Sequence, residues 1–196
     1  MHSYVPVRRV PVLTLALAGM LFIAGLAAAQ TPAKPVAVAK YSATAVNLKR
    51  VNGETITFDV TRWSTDEERD KVVAAFAKSP AEALTVLQGM PSLGIVWRSG
   101  SSFGYFIRYA TRVKGADGRD RVILAVDRDL EDWNLSFSGD KPAAPTSPFT
   151  LIELRTGKGP GEGKMSLGSK IQVEAASKTL AIEAFEKAAV VLKNVK

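Results

Sequence analysis

Apolar and polar residues alternate along most of this chain, and most clearly from Phe103 to Arg128. FGYFIRYATRVK and RDRVILAVDR are aromatic and β-branched runs of period two, separated by GADG, so they predict a β-hairpin. Side chains alternate across a strand, so Phe103, Tyr105, Ile107, Tyr109, Thr111 and Val113 should share one face. A tight turn at Asp117-Gly118, or a four-residue turn from Gly115 to Gly118, would put Val122, Leu124 and Val126 on that same face. The other face would carry Phe106, Arg108, Arg112, Lys114, Arg121, Ile123 and Asp127. The first face predicts a core. The second is basic and suits water or an anionic partner.

The pattern repeats on both sides of this hairpin. Tyr41–Leu48 and Glu54–Arg62 alternate and meet through Asn52-Gly53, a strong turn signal, with Ile56, Phe58 and Val60 facing inward. After Trp63 the period changes. Ser64-Thr65-Asp66-Glu67 reads as a capping box with Ser64 at the N-cap, and Val72, Val73, Phe76 and Ala77 follow at helical spacing as far as Lys78. Ser79-Pro80-Ala81-Glu82 opens a second helix whose apolar face is Ala83, Leu84, Val86 and Leu87, and Gly89–Pro91 stops it. Residues 64–90 therefore predict a helical hairpin. Leu93–Arg98, Trp133–Phe137, Phe149–Arg155, Gly163–Ala175, Thr179–Ala184 and Ala189–Val195 read as further strands, and Gly139–Ser147 as a Pro-rich loop. The expected class is α+β: mainly antiparallel, about eight strands in a sandwich or barrel, with one helical hairpin.

The N-terminal segment follows a different pattern. Arg8 and Arg9 precede an apolar run from Val10 to Ala28, which ends in Ala27-Ala28-Ala29. That order predicts a secretory signal peptide over residues 1–29, cleaved after Ala29. A retained membrane anchor is the alternative, since the run is long enough to span. A twin-arginine signal fits poorly, because Pro11 stands where an apolar bulky residue belongs. Residues 30–40 (QTPAKPVAVAK) read as a flexible lead, and 41–196 as one β-rich domain with no membrane span after cleavage.

Composition changes the picture mainly by exclusion. The formal charge is +7, of which Arg8 and Arg9 supply two, and no nucleic-acid motif accompanies it. Nucleic acid is therefore not an expected partner. There is no cysteine, and the single histidine is His2, inside the predicted signal. Ser-His-Asp and Cys-His catalysis, zinc, copper or haem sites built on those residues, and disulfides are all excluded from the mature domain. No cofactor is expected.

Two motifs fail on inspection. DRDLED (Asp127–Asp132) places carboxylates alternately, as a calcium loop does, but has no glycine at the sixth place and has Ser138 at the twelfth. TGKGPGEGK (Thr156–Lys164) has Lys158 and Met165 where a phosphate loop needs glycine and Ser/Thr, and its setting is strand-turn-strand. A hairpin loop is the expectation.

RWSTDEER (Arg62–Arg69), GYFIRYA (Gly104–Ala110), PFTLIEL (Pro148–Leu154), GEGKMS (Gly161–Ser166) and LKNVK (Leu192–Lys196), in that order, resemble a family of uncharacterised exported bacterial proteins. The resemblance implies export and one continuous domain. It carries over no functional residue.

Three functional readings remain. The favoured one is a non-enzymatic binding module. Trp97, Phe103, Tyr105 and Tyr109 would take an apolar small molecule inside a curled sheet, or Arg108, Arg112 and Arg121, with Lys114, would meet an anionic envelope polymer or protein. The second is a structural or protein-interaction domain of the cell envelope. The third is a hydrolase without His or Cys, drawing on Asp127, Asp129, Glu153, Glu162, Lys164 and Tyr109; Ser166 beside Lys164 lacks the helical Ser-x-x-Lys spacing.

Overall fold

Each barrel strand pairs with the next barrel strand along the chain, across short turns in some places and longer connections in others, so the chain winds round as a meander that closes on itself. The computed structural model describes residues 36–48, 53–130, 148–166, 171–183 and 190–196, all within the compact unit Pro35–Lys196. The strands are β1 Ala39–Val46, β2 Thr55–Val60, β3 Gly94–Arg98, β4 Gly104–Lys114, β5 Asp120–Val126, β6 Thr150–Thr156, β7 Gly161–Ser166, β8 Ile171–Glu174, β9 Thr179–Ile182 and β10 Val190–Val195. The helices α1 Asp66–Lys78 and α2 Pro80–Gly89 lie between β2 and β3. β1 to β7 and β10 form a closed, wholly antiparallel eight-stranded barrel, and β8 and β9 pair separately. Among the described residues the architecture is thus a barrel with one helical hairpin. Among the described residues no helix is long and apolar enough to cross a membrane.

An eight-stranded barrel is just wide enough for side chains to fill it. Phe58, Ile107, Leu124, Ile152, Met165 and Leu192 do so, all completely buried. Glycines make room where strands crowd: a Cβ on Gly163 would strike Leu154 and Leu192, and one on Gly161 would strike the Val195 carbonyl. A second core lies outside the barrel wall. There Tyr109, Ile123 and Leu151 meet Val72 of α1, Leu87 of α2 and Leu180 of β9. Two cores explain why Val122–Val126 is an unbroken apolar run: β5 is buried on both faces.

The central hairpin departs from its predicted register. Lys114 pairs with Asp120, so the connection is the five residues Gly115–Arg119, one longer than the longer turn expected. Gly118 takes φ +77°, and Asp117 Oδ1 accepts the Arg119 N–H at 3.0 Å, which stabilises the longer turn. One extra residue swaps the faces. Tyr109, Thr111 and Val113 therefore stand opposite Ala125, Ile123 and Arg121 on the outer wall, while Ala110 and Arg112 take the inner phase with Leu124 and Val122. A bulge at Arg108 then restores the first phase, so Ile107 pairs with Val126 and Tyr105 lies on the inner side.

Three smaller expectations are also corrected. Thr65, not Ser64, caps α1: Glu68 N–H donates to Thr65 Oγ1 at 3.2 Å, and Thr65 N–H donates to Glu68 Oε2 at 2.9 Å. Ser64 is engaged elsewhere, exchanging bonds with the Ala110 backbone on β4, so the helix starts one residue later. The predicted strand Gly163–Ala175 is two strands in different sheets, β7 and β8. β1 begins at Ala39, inside the predicted lead, with Ala39 opposite Val60. The predicted signal, Asn52, the strand Trp133–Phe137 and the loop Gly139–Ser147 lie outside the described residues.

Candidate functional site

β4 starts at Gly104, but β5 ends at Val126, which faces Ile107. Residues 104–106 are therefore paired to β3 through Trp97, Val96 and Ile95, while their other edge faces the departing chain at Asp127-Arg128. At this rim lies an open groove of about 410 Å³, lined by Phe103, Gly104, Tyr105, Phe106, Arg108, Asp127 and Arg128.

Local chemistry holds each of these groups. Ser101 Oγ donates to the Phe103 carbonyl at 2.8 Å and accepts its N–H at 3.3 Å, which seats the Phe103 ring. Phe103 and Tyr105 pack edge to face, with centroids 5.7 Å apart. The bulge turns Arg108 outward, where its Nε donates to Asp127 Oδ2 at 3.0 Å and its NH1 to the Met90 carbonyl at 3.0 Å. Its guanidinium carbon lies 5.1 Å from the Phe106 ring centre, and Phe106 is 49% exposed. Arg128, exposed, stands 5.4 Å over the Tyr105 ring. The groove thus offers flat apolar surface edged by guanidinium groups.

Of the residues predicted for ligand binding, Phe103, Tyr105 and Arg108 meet at this rim. The others go elsewhere. Trp97 is half-buried on the outer wall of β3, with its ring over Gly104. Tyr109 is fully buried in the outer core, its hydroxyl 3.1 Å from Thr179 Oγ1; burial pushes its pKa up to about 12, against the hydrogen bond. Arg112 sits at the opposite end of the barrel, 5.6 Å from the Trp63 ring centre and beside Tyr41, whose hydroxyl pKa burial raises. The filled barrel therefore does not gather the four aromatics around an internal ligand, and the expected basic face is divided between both ends and both walls. Phe106 and Arg128 were not singled out in the sequence. Arg128 is embedded in an acidic segment, and nothing in the pattern around it marks the groove.

Arg121 lies in a second, more polar groove of about 420 Å³, with Asp117, Glu153, Arg155, Gln172 and Glu174 among its lining. Its Nε donates to Glu153 Oε1 at 3.0 Å, and its NH1 donates to Glu174 at 3.0 and 3.1 Å. Arg155 Nε also donates to Glu153 Oε1, and Ile182 N–H donates to Glu153 Oε2. Burial alone would raise the Glu174 pKa, but hydrogen bonds from Arg121 and Ser177 bring it below the usual carboxylate range. This network ties β8 and β9 to the barrel wall. It also engages the candidate acid/base groups: Glu153 is buried and bound by two arginines, Glu162 pairs with Arg119 at 2.9 Å, and Asp127 pairs with Arg108. Lys164 and Ser166 are buried as well. No family model, no curated protein and no solved structure matches this chain.

Proposed function

We propose that the chain is an exported, non-enzymatic binding domain whose site is the rim groove beside the start of β4. The observation that carries this reading is the convergence of three aromatic rings and two guanidinium groups on one open concavity of about 410 Å³. That volume lies in the range of sites for small organic molecules, as does the mixture of apolar wall and a few polar groups. Export is the reading of residues 1–29 together with the family resemblance. The absence of catalysis is favoured because Glu153, Glu162 and Asp127 are each held by arginine within the fold. The barrel itself acts as scaffold, its interior filled by its own side chains.

Native mass spectrometry of the exported protein, recovered without detergent, tests the proposal. A bound mass of a few hundred daltons should be released on denaturation and should be lost in Phe103→Ala and Tyr105→Ala proteins that keep the wild-type circular dichroism. Retention of the same mass in both variants would place the ligand elsewhere and overturn the reading. A ligand-free mass, together with unchanged amide NMR shifts at residues 103–108 and 127–128 in a fragment screen, would overturn it too.

A further inference from the structure

We infer, on the strength of that reading, that the groove takes a free small molecule made of a flat ring system bearing one acidic group, and that Arg128 selects for the acid. Among the described residues three charged side chains line the groove: Arg108, Asp127 and Arg128. Two of them cancel. Arg108 and Asp127 are joined at 3.0 Å, both are largely buried, and Arg108 is further fixed by the Met90 carbonyl. Arg128 differs, since among the described residues no carboxylate stands within ion-pair distance of it. Among the described residues, one positive charge without a carboxylate partner therefore faces the rings.

The geometry assigns that charge a shape. A guanidinium is a planar fork that grips a carboxylate or sulfonate through parallel hydrogen bonds. Its position over the Tyr105 ring limits where the fork lies, so less freedom is lost when an anion binds. A cationic ligand would be repelled by Arg128 and would find Asp127 already bound by Arg108. A neutral ring could stack on Phe103 or Phe106 but would leave the guanidinium without a counter-charge. An anionic polymer needs a row of cations, whereas Arg112 and Arg121 lie at the far end of the barrel, level with the start of β5. A single small anion with a flat body fits both the number of charges and the volume.

A matched pair of fluorescent probes tests this on the whole chain: anilinonaphthalene sulfonate, and phenylnaphthylamine, which shares the ring system but carries no charge. The sulfonate should bind about tenfold or more tightly than the neutral probe, as expected for one charge-assisted hydrogen-bonding group. Arg128→Gln should remove that difference by weakening the sulfonate alone, and Arg128→Lys should restore part of it. Arg128 is exposed, so neither change touches the core, and unchanged thermal melting checks this. Phe103→Ala should weaken both probes. Equal affinities for the two probes, unchanged by Arg128→Gln but both reduced by Phe103→Ala, would overturn the anion preference and leave the groove as the site. Failure of both probes to bind, or binding indifferent to Phe103→Ala, would overturn the groove reading and the preference with it.

Discussion

Ile107 and Tyr109 stand two residues apart on β4, yet Ile107 is buried inside the barrel and Tyr109 outside it, beneath the helices and β9. Side chains two apart on a regular strand share a face, so something must interrupt the pleat between them. Arg108 is that interruption. Opposite Val126 and Ala125, the strand fits three residues where two would pair, and the surplus residue is fastened by Asp127 and the Met90 carbonyl. The bulge thus feeds two cores from one strand and opens the rim groove at the same point.

The number of residues at the bulge should therefore matter more than the side chain. Arg108→Ala removes an ion pair and a hydrogen bond, at a cost of about 1–3 kcal/mol. Deleting Arg108 would put either the Ile107 arm or the Tyr109 arm in the wrong phase, which threatens the whole ~5–15 kcal/mol of a typical domain. Urea unfolding of the two variants compares them. A deletion no worse than the alanine change would refute the role given to the bulge.

Tyr109 supplies a second measurable effect. Its hydroxyl is buried and its pKa stands at about 12, above the ordinary value of 10 for an exposed phenol. The folded state therefore holds the proton more tightly than the unfolded chain does, so stability is complete below pH 10 and is lost as pH rises from 10 toward 12. Tyr109→Phe should cost about 1 kcal/mol at neutral pH, from the bond to Thr179, and should flatten the alkaline decline. Thermal melts between these pH values decide the matter: a decline as steep in the phenylalanine variant would assign it to other groups.

The acid side depends on Glu68. Arg62 grips its carboxylate with two hydrogen bonds of 2.8 Å and Thr65 N–H adds a third, so its pKa falls to about 2. A depressed carboxylate stabilises the fold above its unfolded value, near 4.5, and that contribution disappears as pH falls from there toward 2. Glu68→Gln should lower stability at pH 7 by about 1 kcal/mol, with half of the capping box weakened, and should change little at pH 2. Equal losses at both pH values would show that the carboxylate charge is immaterial.

Much of this fold was legible because turn chemistry and period are local properties. Gly53, Ser79-Pro80 and the loop Thr156–Glu162 marked their connections, and the alternation of Ile56, Phe58 and Val60 revealed the inner face of β2. Closure was not legible, since pairing of Ala45 with Leu192 joins the two ends of the domain and leaves no local trace. The face assignment failed at Tyr109 for a related reason. A five-residue turn and a one-residue bulge offset each other, and both flanks of the bulge are equally apolar, so the pattern reads as uninterrupted. The site suffered most. Phe103, Tyr105 and Arg108 were within reach of sequence reasoning, but their meeting with Arg128 depends on where β5 stops against β4, which only the register decides.

The same register places Arg121 against Glu153 on the outer wall, at the end of the barrel away from the groove. Glu153 is 1% exposed and bound by Arg121, Arg155 and the Ile182 N–H, so removing Arg121 strips a buried carboxylate of one of its two cations. Arg121→Ala should cost roughly 3–5 kcal/mol, as breaking a buried pair does. Replacing both charges, Arg121→Met with Glu153→Leu, avoids the buried unpaired charge and should cost less than the single change. Its remaining penalty would come from the Ile182 N–H left without an acceptor, about 1–3 kcal/mol, and from Arg155 and Glu174, each of which loses one ion-pair partner. A double-mutant cycle by denaturant unfolding measures the coupling, and additive losses would mean that the two side chains do not depend on each other. Probe binding at the rim should stay at the wild-type level in the folded double variant, because the network anchors β8 and β9 and takes no part in the groove.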